Sequence, residues 1–352
     1  MFEQIQNENL QNYQLVKIDN KVKKFFNHYL CADSEGKSFM TDMHVVKNFK
    51  VIDGKVIINS IVPRTKIGPN YLVLYNIGYG TSGQVYDAVD NDSNPCAIKV
   101  VANDESTKNE GKIMKSLLGC PNIVEYKEDF ELGLYRYIVM KKYQGNLGES
   151  SISFTWKNAC SLLKDTLTGL VEIHKLGIVH GDIKPANIFL EEERAFIGDF
   201  GLSSYIGMEG SMVYSWWYRH PELLKNQKIK KNHERKQYHD LWALGTTFFH
   251  IFTRKILFLD CGIFYELMLE INENNLLDAI FQQYHSSSGV TGLVAQILDE
   301  SRMKPDMVYR YIFSSVLLEM IDPLSIKGAK YFLDLLDDKM KMEQEIVDIY
   351  KK

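Results

Sequence analysis

His180-Gly181-Asp182-Ile183-Lys184-Pro185-Ala186-Asn187, followed by Asp199-Phe200-Gly201, is the stretch that decides how the rest of this chain reads. A carboxylate, a lysine two residues on and an amide three residues after that stand on a short proline-containing turn. Such a set suits phosphoryl transfer. Asp182 can orient a hydroxyl and accept its proton, Lys184 can neutralise charge on the moving phosphoryl oxygens, and Asn187 with Asp199 can hold Mg²⁺ through hard oxygen ligands. The apolar pair Ile178-Val179 ahead of the turn and Ile188-Phe189-Leu190 behind it would pin it against a core.

Upstream, the run from Tyr71 to Ile77 reads as a strand leading into Gly78-Tyr79-Gly80-Thr81-Ser82-Gly83-Gln84-Val85. Glycines let backbone amides approach phosphate oxygens with no Cβ in the way. A dinucleotide-binding turn of this spacing would open a helix. Here the glycines precede a strand-like run, Val85-Tyr86-Asp87-Ala88-Val89, which favours a hairpin lid over nucleotide phosphates. Lys99 then lies inside the apolar strand from Ala97 to Val101, where an unpaired ammonium is costly to bury, so it needs anions. Glu110 is one candidate, because Ile113, Met114 and Leu117 follow it at helical spacing and place it on a buried face. Thr107-Lys108-Asn109-Glu110 equally fits a capping box, in which Glu110 would only close the helix start.

With the catalytic stretch, these parts resemble a eukaryotic-type protein kinase, in the family's order over about residues 70 to 335. The resemblance implies an α+β, bilobal fold with a small β-rich N-lobe (66–143) and a larger helical C-lobe (144–352). Residues 1–65 form an extension of unknown role. It implies ATP and magnesium as cofactors and protein substrates as partners. Asp182 and Lys184 would be catalytic, and Asn187 and Asp199 the metal ligands. Ile77, Gly78, Tyr79, Gly80, Thr81, Ser82, Gly83, Gln84 and Val85 would cover the nucleotide. Lys99 would meet its α- and β-phosphates and pair with Glu110. Tyr137-Ile138-Val139-Met140 resembles the last small-lobe strand running into the hinge. Backbone groups of Lys141 and Lys142 would meet adenine there, with Met140 behind it, Val85, Ala97 and Phe189 as walls, and Asn146 near the ribose. His180 would pack in the core and bond backbone.

The segment from Asp199 to Glu222 resembles an activation segment closing on Ala-Pro-Glu, with His220 in place of alanine. Its Trp217-Tyr218-Arg219 resembles most the cyclin-dependent and mitogen-activated branch. Ser215 would contact Asp182 and Lys184. Asp240, in Asp240-Leu241-Trp242-Ala243-Leu244-Gly245, would steady the catalytic-loop backbone, or only cap its helix. Two departures stand out. Gly181 replaces the arginine that gathers an activation-loop phosphate, which predicts activity without such a phosphate. Asp322-Pro323-Leu324-Ser325-Ile326 ends in isoleucine where an arginine would pair with Glu222, so other contacts must brace that glutamate. Lysine at 184 points to serine or threonine as the acceptor. The rivals are a small-molecule kinase of the aminoglycoside or choline type, which shares His-Gly-Asp and the following asparagine, and a pseudokinase scaffold.

The 352 residues, 45% hydrophobic and 24% charged, are ordinary for a globular protein, and a net charge of −4 gives no reason to expect nucleic acid or an anionic membrane. A basic run of Lys225, Lys228, Lys230, Lys231, Arg235 and Lys236 could dock an acidic partner or be a solvated loop. Five scattered cysteines without a Cys-x-x-Cys pair predict reduced thiols in the cytoplasm or nucleus. No secretion or spanning segment is expected. The N-terminal run is Asn- and Gln-rich, and residues 48–58 read as two short strands about Asp53-Gly54. Residues 262–320 read as helical. The departures and the short activation segment suit a fast-evolving viral kinase.

Overall fold

Strands dominate the first of two units, Met1–Val101, and helices the second, Ala102–Lys352. The computed structural model describes residues 14–15, 28–32, 38–42, 49–52, 55–58, 65–80, 83–133, 135–149, 155–208, 215–220, 222–223, 234–254, 256–257, 307–322 and 325–350. In the first unit β1 (Gln14–Leu15), β2 (His28–Ala32) and β3 (Ser38–Asp42) form an antiparallel sheet in that order. β4 (Phe49–Ile52) and β5 (Lys55–Ile58) pair antiparallel, the two short strands expected from the sequence there. Next come β6 (Thr65–Ile67), β7 (Tyr71–Gly80), β8 (Gly83–Asp90) and β9 (Pro95–Ala102), an antiparallel meander. The β7–β8 register shifts between Val73 and Tyr75 and again between Asn76 and Gly78. Such irregularities bend and twist a hairpin locally. Val73, Tyr86, Ala88, Cys96 and Ile98 are buried.

The second unit opens with α1 (Glu105–Ser116). Its start corrects one sequence reading. Asp104 is the N-cap, with Oδ1 accepting from Thr107 N at 2.9 Å, while Thr107 Oγ1 accepts from Asp104 N at 3.1 Å. The capping box is therefore Asp104–Thr107 and not Thr107–Glu110, because the aspartate reaches the orphan amide one turn earlier. Glu110 sits mid-helix with 2% exposure.

A hairpin, β10 (Tyr126–Leu132) with β11 (Tyr135–Lys141), leads through β12 (Gly145–Asn146) to α2 (Trp156–Lys175). Thr155 caps α2 by accepting from Asn158 N at 3.1 Å. Leu163, Leu167, Leu170 and Ile173 repeat at helical spacing and are fully buried. After α2 come β13 (Ile178–Val179), β14 (Ile188–Glu191), β15 (Arg194–Ile197) and β16 (Ser204–Tyr205), paired as β12-β14-β15 and β13-β16. α3 (Gln237–Thr253), α4 (Met307–Met320) and α5 (Ala329–Tyr350) complete the unit. Trp156 of α2, Phe248 and Phe252 of α3 and Phe313 of α4 form one aromatic cluster, with ring centroids 5.0 to 6.2 Å apart. Burying each such side chain contributes roughly 1.5–3 kcal/mol, so this cluster welds three helices. The helical reading of 262–320 is met at α4, and the remainder of that range lies outside the described residues. Among the described residues no helix is long and apolar enough to cross a membrane.

Gly169 marks where α2 comes closest to its neighbours. A Cβ there would lie 2.7 Å from the Asn122 carbonyl oxygen and 3.2 Å from Ile197 Cδ1. Gly169→Ala gains up to about 1 kcal/mol of helix propensity, but overpacking against backbone costs about 1–3 kcal/mol. The variant is expected to unfold at lower denaturant than wild type in a chemical-denaturation series.

Candidate active site

Lys184 is extended, at φ −160°, and Pro185–Asn187 form a single 3₁₀ turn with proline at its start. Ile183 and Ile188, 1% and 0% exposed, anchor the turn from below. Asp182 is thereby presented from a rigid support. Its Oδ2 accepts from Lys184 Nζ at 2.7 Å and from Asn187 Nδ2 at 3.1 Å, and its Oδ1 accepts from Ser215 N at 3.2 Å. Lys184 Nζ also donates to Ser215 Oγ at 3.1 Å. Ser215 meets Asp182 and Lys184, as the sequence reading expected, and Asn187 joins them. Asn187 spends its amide nitrogen twice, on Asp182 Oδ2 and on the Asp182 carbonyl at 2.8 Å. The oxygen is the atom a hard cation takes.

The loop hangs from Asp240. This carboxylate is 1% exposed; Oδ2 accepts from His180 N at 2.8 Å and Oδ1 from Gly181 N at 2.8 Å. His174 Nε2 lies 2.9 Å from Oδ2. Burial pushes the Asp240 carboxyl up, but the hydrogen bond and charge of His174, the nearby His180 and the Gly181 amide outweigh it and hold it below the usual aspartate range. Asp240 is no helix cap, since Lys236 is the N-cap of α3. Gly181 adopts φ +79°, a left-handed conformation that favours glycine. His180 is fully buried, with Nδ1 accepting from Asp182 N at 3.2 Å and Nε2 at 3.1 Å from the Gly198 oxygen. Burial pushes its imidazole down, which suits the structural role expected of it.

Asp199 is held at φ +62°, a strained conformation for aspartate. Gly198 N donates to Asn187 O at 3.0 Å, tying the aspartate's neighbour to the asparagine. Phe200, 1% exposed, packs edge-on against His180 with ring centroids 5.0 Å apart. Both expected metal ligands therefore flank one backbone junction.

In the first unit, the β8–β9 register sets Val85 opposite Lys99 and Ala97 opposite Asp87, so Val85, Ala97 and Lys99 share one face. Lys99 is 4% exposed and Ala97 6%. Gly83 is at φ +131°, and a Cβ there would stand 2.6 Å from the Val100 oxygen. Ile77 is exposed, Gly78 half-buried, and Gln84 buried with its side chain bonded to Tyr86 Oη. Thr81 and Ser82 lie outside the described residues, as does the side chain of Tyr79.

Glu110, Met140, Lys142 and Phe189 belong to the second unit, the last three partly exposed. Lys141 N already donates to Glu125 O at 2.9 Å, so that amide is committed inside the fold. Asn146 Oδ1 accepts from Gly148 N and Glu149 N, at 2.9 and 3.1 Å, and shapes its own turn.

The protein kinase domain model matches residues 71–305. The chain belongs to the protein kinase domain family. This kinase domain is 29% identical over 252 residues to serine/threonine-protein kinase Nek3 of Mus musculus, covering 65% of this chain and 46% of that protein. It is 30% identical over 211 residues to a probable cyclin-dependent serine/threonine-protein kinase of Dictyostelium discoideum, covering 54% and 31%. With a probable cell division protein kinase of Encephalitozoon cuniculi it shares 28% over 199 residues, covering 53% and 73%. The matches thus span less than half the length of the first two relatives.

The kinase domain solves its missing arginine locally. Ile326 is 78% exposed, and Glu222 is held instead by Lys236 Nζ at 2.8 Å, Tyr238 Oη and His239 Nε2 at 3.2 Å. The hydrogen bond from His239, opposed by burial and reinforced by Lys236 and Tyr238, holds the Glu222 carboxyl far below the usual range. The sequence reading missed these three and His174, because nothing in a linear sequence marks which buried carboxylate a histidine will face.

A folded-state pKa below the unfolded one contributes stability above the unfolded pKa and loses it as pH falls. Asp240→Asn is therefore expected to lower stability at neutral pH by about 1–3 kcal/mol and to flatten the decline below about pH 4. Denaturation midpoints measured between acid and neutral pH check both.

Proposed function

We propose that this kinase domain transfers the γ-phosphate of ATP to serine or threonine side chains of protein substrates. The observation that carries it is the Asp182 carboxylate, oriented by Lys184, Asn187 and Ser215 N–H rather than left as an ordinary core ion pair. Asp182 would orient the acceptor hydroxyl and take its proton, while Lys184 neutralises oxygens in flight. The Ser215 contact to both supports an acceptor presented along the segment ending at Glu222.

The residues present fit a nucleotide and its metal. Gly83 leaves no space for a side chain, Lys99 brings a cation to the face shared with Val85 and Ala97, and Asn187 keeps its amide oxygen clear of its two hydrogen bonds. ATP with Mg²⁺ would supply the phosphoryl group and the charge that screens its transfer. In the first unit Ile77 to Val85, Ala97 and Lys99 would hold the nucleotide, and in the second Asn187 with Asp199 would hold the metal.

Trp217-Tyr218-Arg219, together with two relatives whose names include cyclin-dependent and cell division kinases, supports the cyclin-dependent and mitogen-activated branch. Docking of an acidic partner narrows to Lys225, Lys228, Lys230 and Lys231, which lie outside the described residues. Arg235 is buried and bonded to the Leu202 carbonyl, and Lys236 holds Glu222. Among the described residues Cys96, Cys120 and Cys160 form no disulfide, which fits a reducing compartment, cytoplasm or nucleus.

Purified chain given radiolabelled ATP, Mg²⁺ and a protein substrate mixture should label serine and threonine. Asp182→Asn should reduce the rate by at least about 100-fold with nucleotide affinity retained, whereas Asp199→Asn should weaken Mg²⁺-dependent nucleotide binding itself. Label that persists in Asp182→Asn removes Asp182 from the chemistry, and label on free sugars or choline alone redirects the substrate class. Phosphatase-treated chain should be as active as untreated chain, because Gly181 offers a segment phosphate no cation.

A further inference from the structure

Glu222 is flanked by two imidazoles that the proposed phosphoryl transfer does not use. His220 and His239 are each 3% exposed, their ring centroids are 5.2 Å apart, and one donor atom from each of His220, Glu222 and His239 lies within 4.8 Å of the others. His239 Nε2 already faces Glu222 Oε2 at 3.2 Å, and His220 Nδ1 accepts from Glu222 N at 3.1 Å, so the fold gathers two imidazoles and a carboxylate in one place.

We infer that His220, Glu222 and His239 form a site for one Zn²⁺, clamping the end of the activation segment to the first turn of α3. The donor set is the two-imidazole, one-carboxylate combination that suits zinc, with a fourth position left to water. Tetrahedral bonds of about 2.0–2.1 Å place ligand atoms about 3.3–3.4 Å apart, and His239 Nε2 already stands 3.2 Å from Glu222 Oε2. The third ligand closes in by side-chain rotation.

Binding rearranges the existing contacts in a defined way. Tyr238 Oη gives up its bond to Glu222 Oε2, the oxygen beside His239 Nε2, while Lys236 Nζ keeps Oε1. The proton on His239 Nε2 moves to Nδ1, which is buried with no hydrogen-bond partner among the described residues. The site lies one residue from Asp240, so the metal would fix the segment beside the carboxylate that suspends the catalytic loop.

The test uses the full chain, stripped with chelator and titrated with Zn²⁺ alone against a chromophoric chelator. One zinc per chain with Kd below about 1 μM is expected, with a higher thermal midpoint, since a ligand of the folded state stabilises it. His239→Ala and His220→Ala should each weaken binding at least about 100-fold. Absence of stoichiometric zinc in wild type, or retention of it in both variants, overturns the assignment. Should either variant fail to fold, X-ray absorption at the zinc edge of wild type decides. A nitrogen and oxygen shell with imidazole scattering supports the site, and a sulfur shell overturns it.

Discussion

A single buried carboxylate, Asp240, carries the catalytic loop. Two consecutive amides, His180 N and Gly181 N, point into it, and an imidazole from α2 closes its second oxygen. Without it, two backbone donors would be buried with no acceptor, each costing about 1–3 kcal/mol. Because Asp240 sits in the first turn of α3, the loop's position is fixed by the helix and not by the loop itself. The left-handed Gly181 follows from this, since the chain must turn sharply enough to offer both amides to one acceptor.

Glu222 shows the same physics with a different set of partners. A half-buried carboxylate must be neutralised, and a distant arginine is only one means of doing so. Here a lysine, a tyrosine and a histidine, clustered at the start of α3 within the same short stretch, take its place, and the residue at 326 is released to solvent. Partners this close in sequence to one another make the end of the segment and the start of α3 one local unit. The loss of a long-range ion pair is thereby absorbed without exposing the carboxylate.

Much of the site was legible because its signals are local. Asp182, Lys184 and Asn187 fall on one turn, and a turn brings residues two to five apart together whatever the surrounding fold. The capping box at α1 stands three residues earlier than Thr107–Glu110 because Asp104 and Thr107 are both able to cap a helix, and only backbone geometry shows which of them lies outside it. The acidic-docking reading of Arg235 and Lys236 overlooked that a basic side chain can be consumed internally. Charge pattern carries no record of burial.

What the amino-acid order determined by itself was the inventory and its sequence along the chain: glycine hairpin, strand lysine, the turn carrying Asp182, Lys184 and Asn187, the Asp199-Phe200-Gly201 run and the segment closing at Glu222. These depend on residue type and short spacing, both written in the chain. Only the tertiary structure decided which partners satisfy two of the buried charges: His174 with Asp240, and Lys236, Tyr238 and His239 with Glu222. The physical reason is that desolvating a carboxylate obliges it to find donors, while the donors it finds are chosen by helix packing.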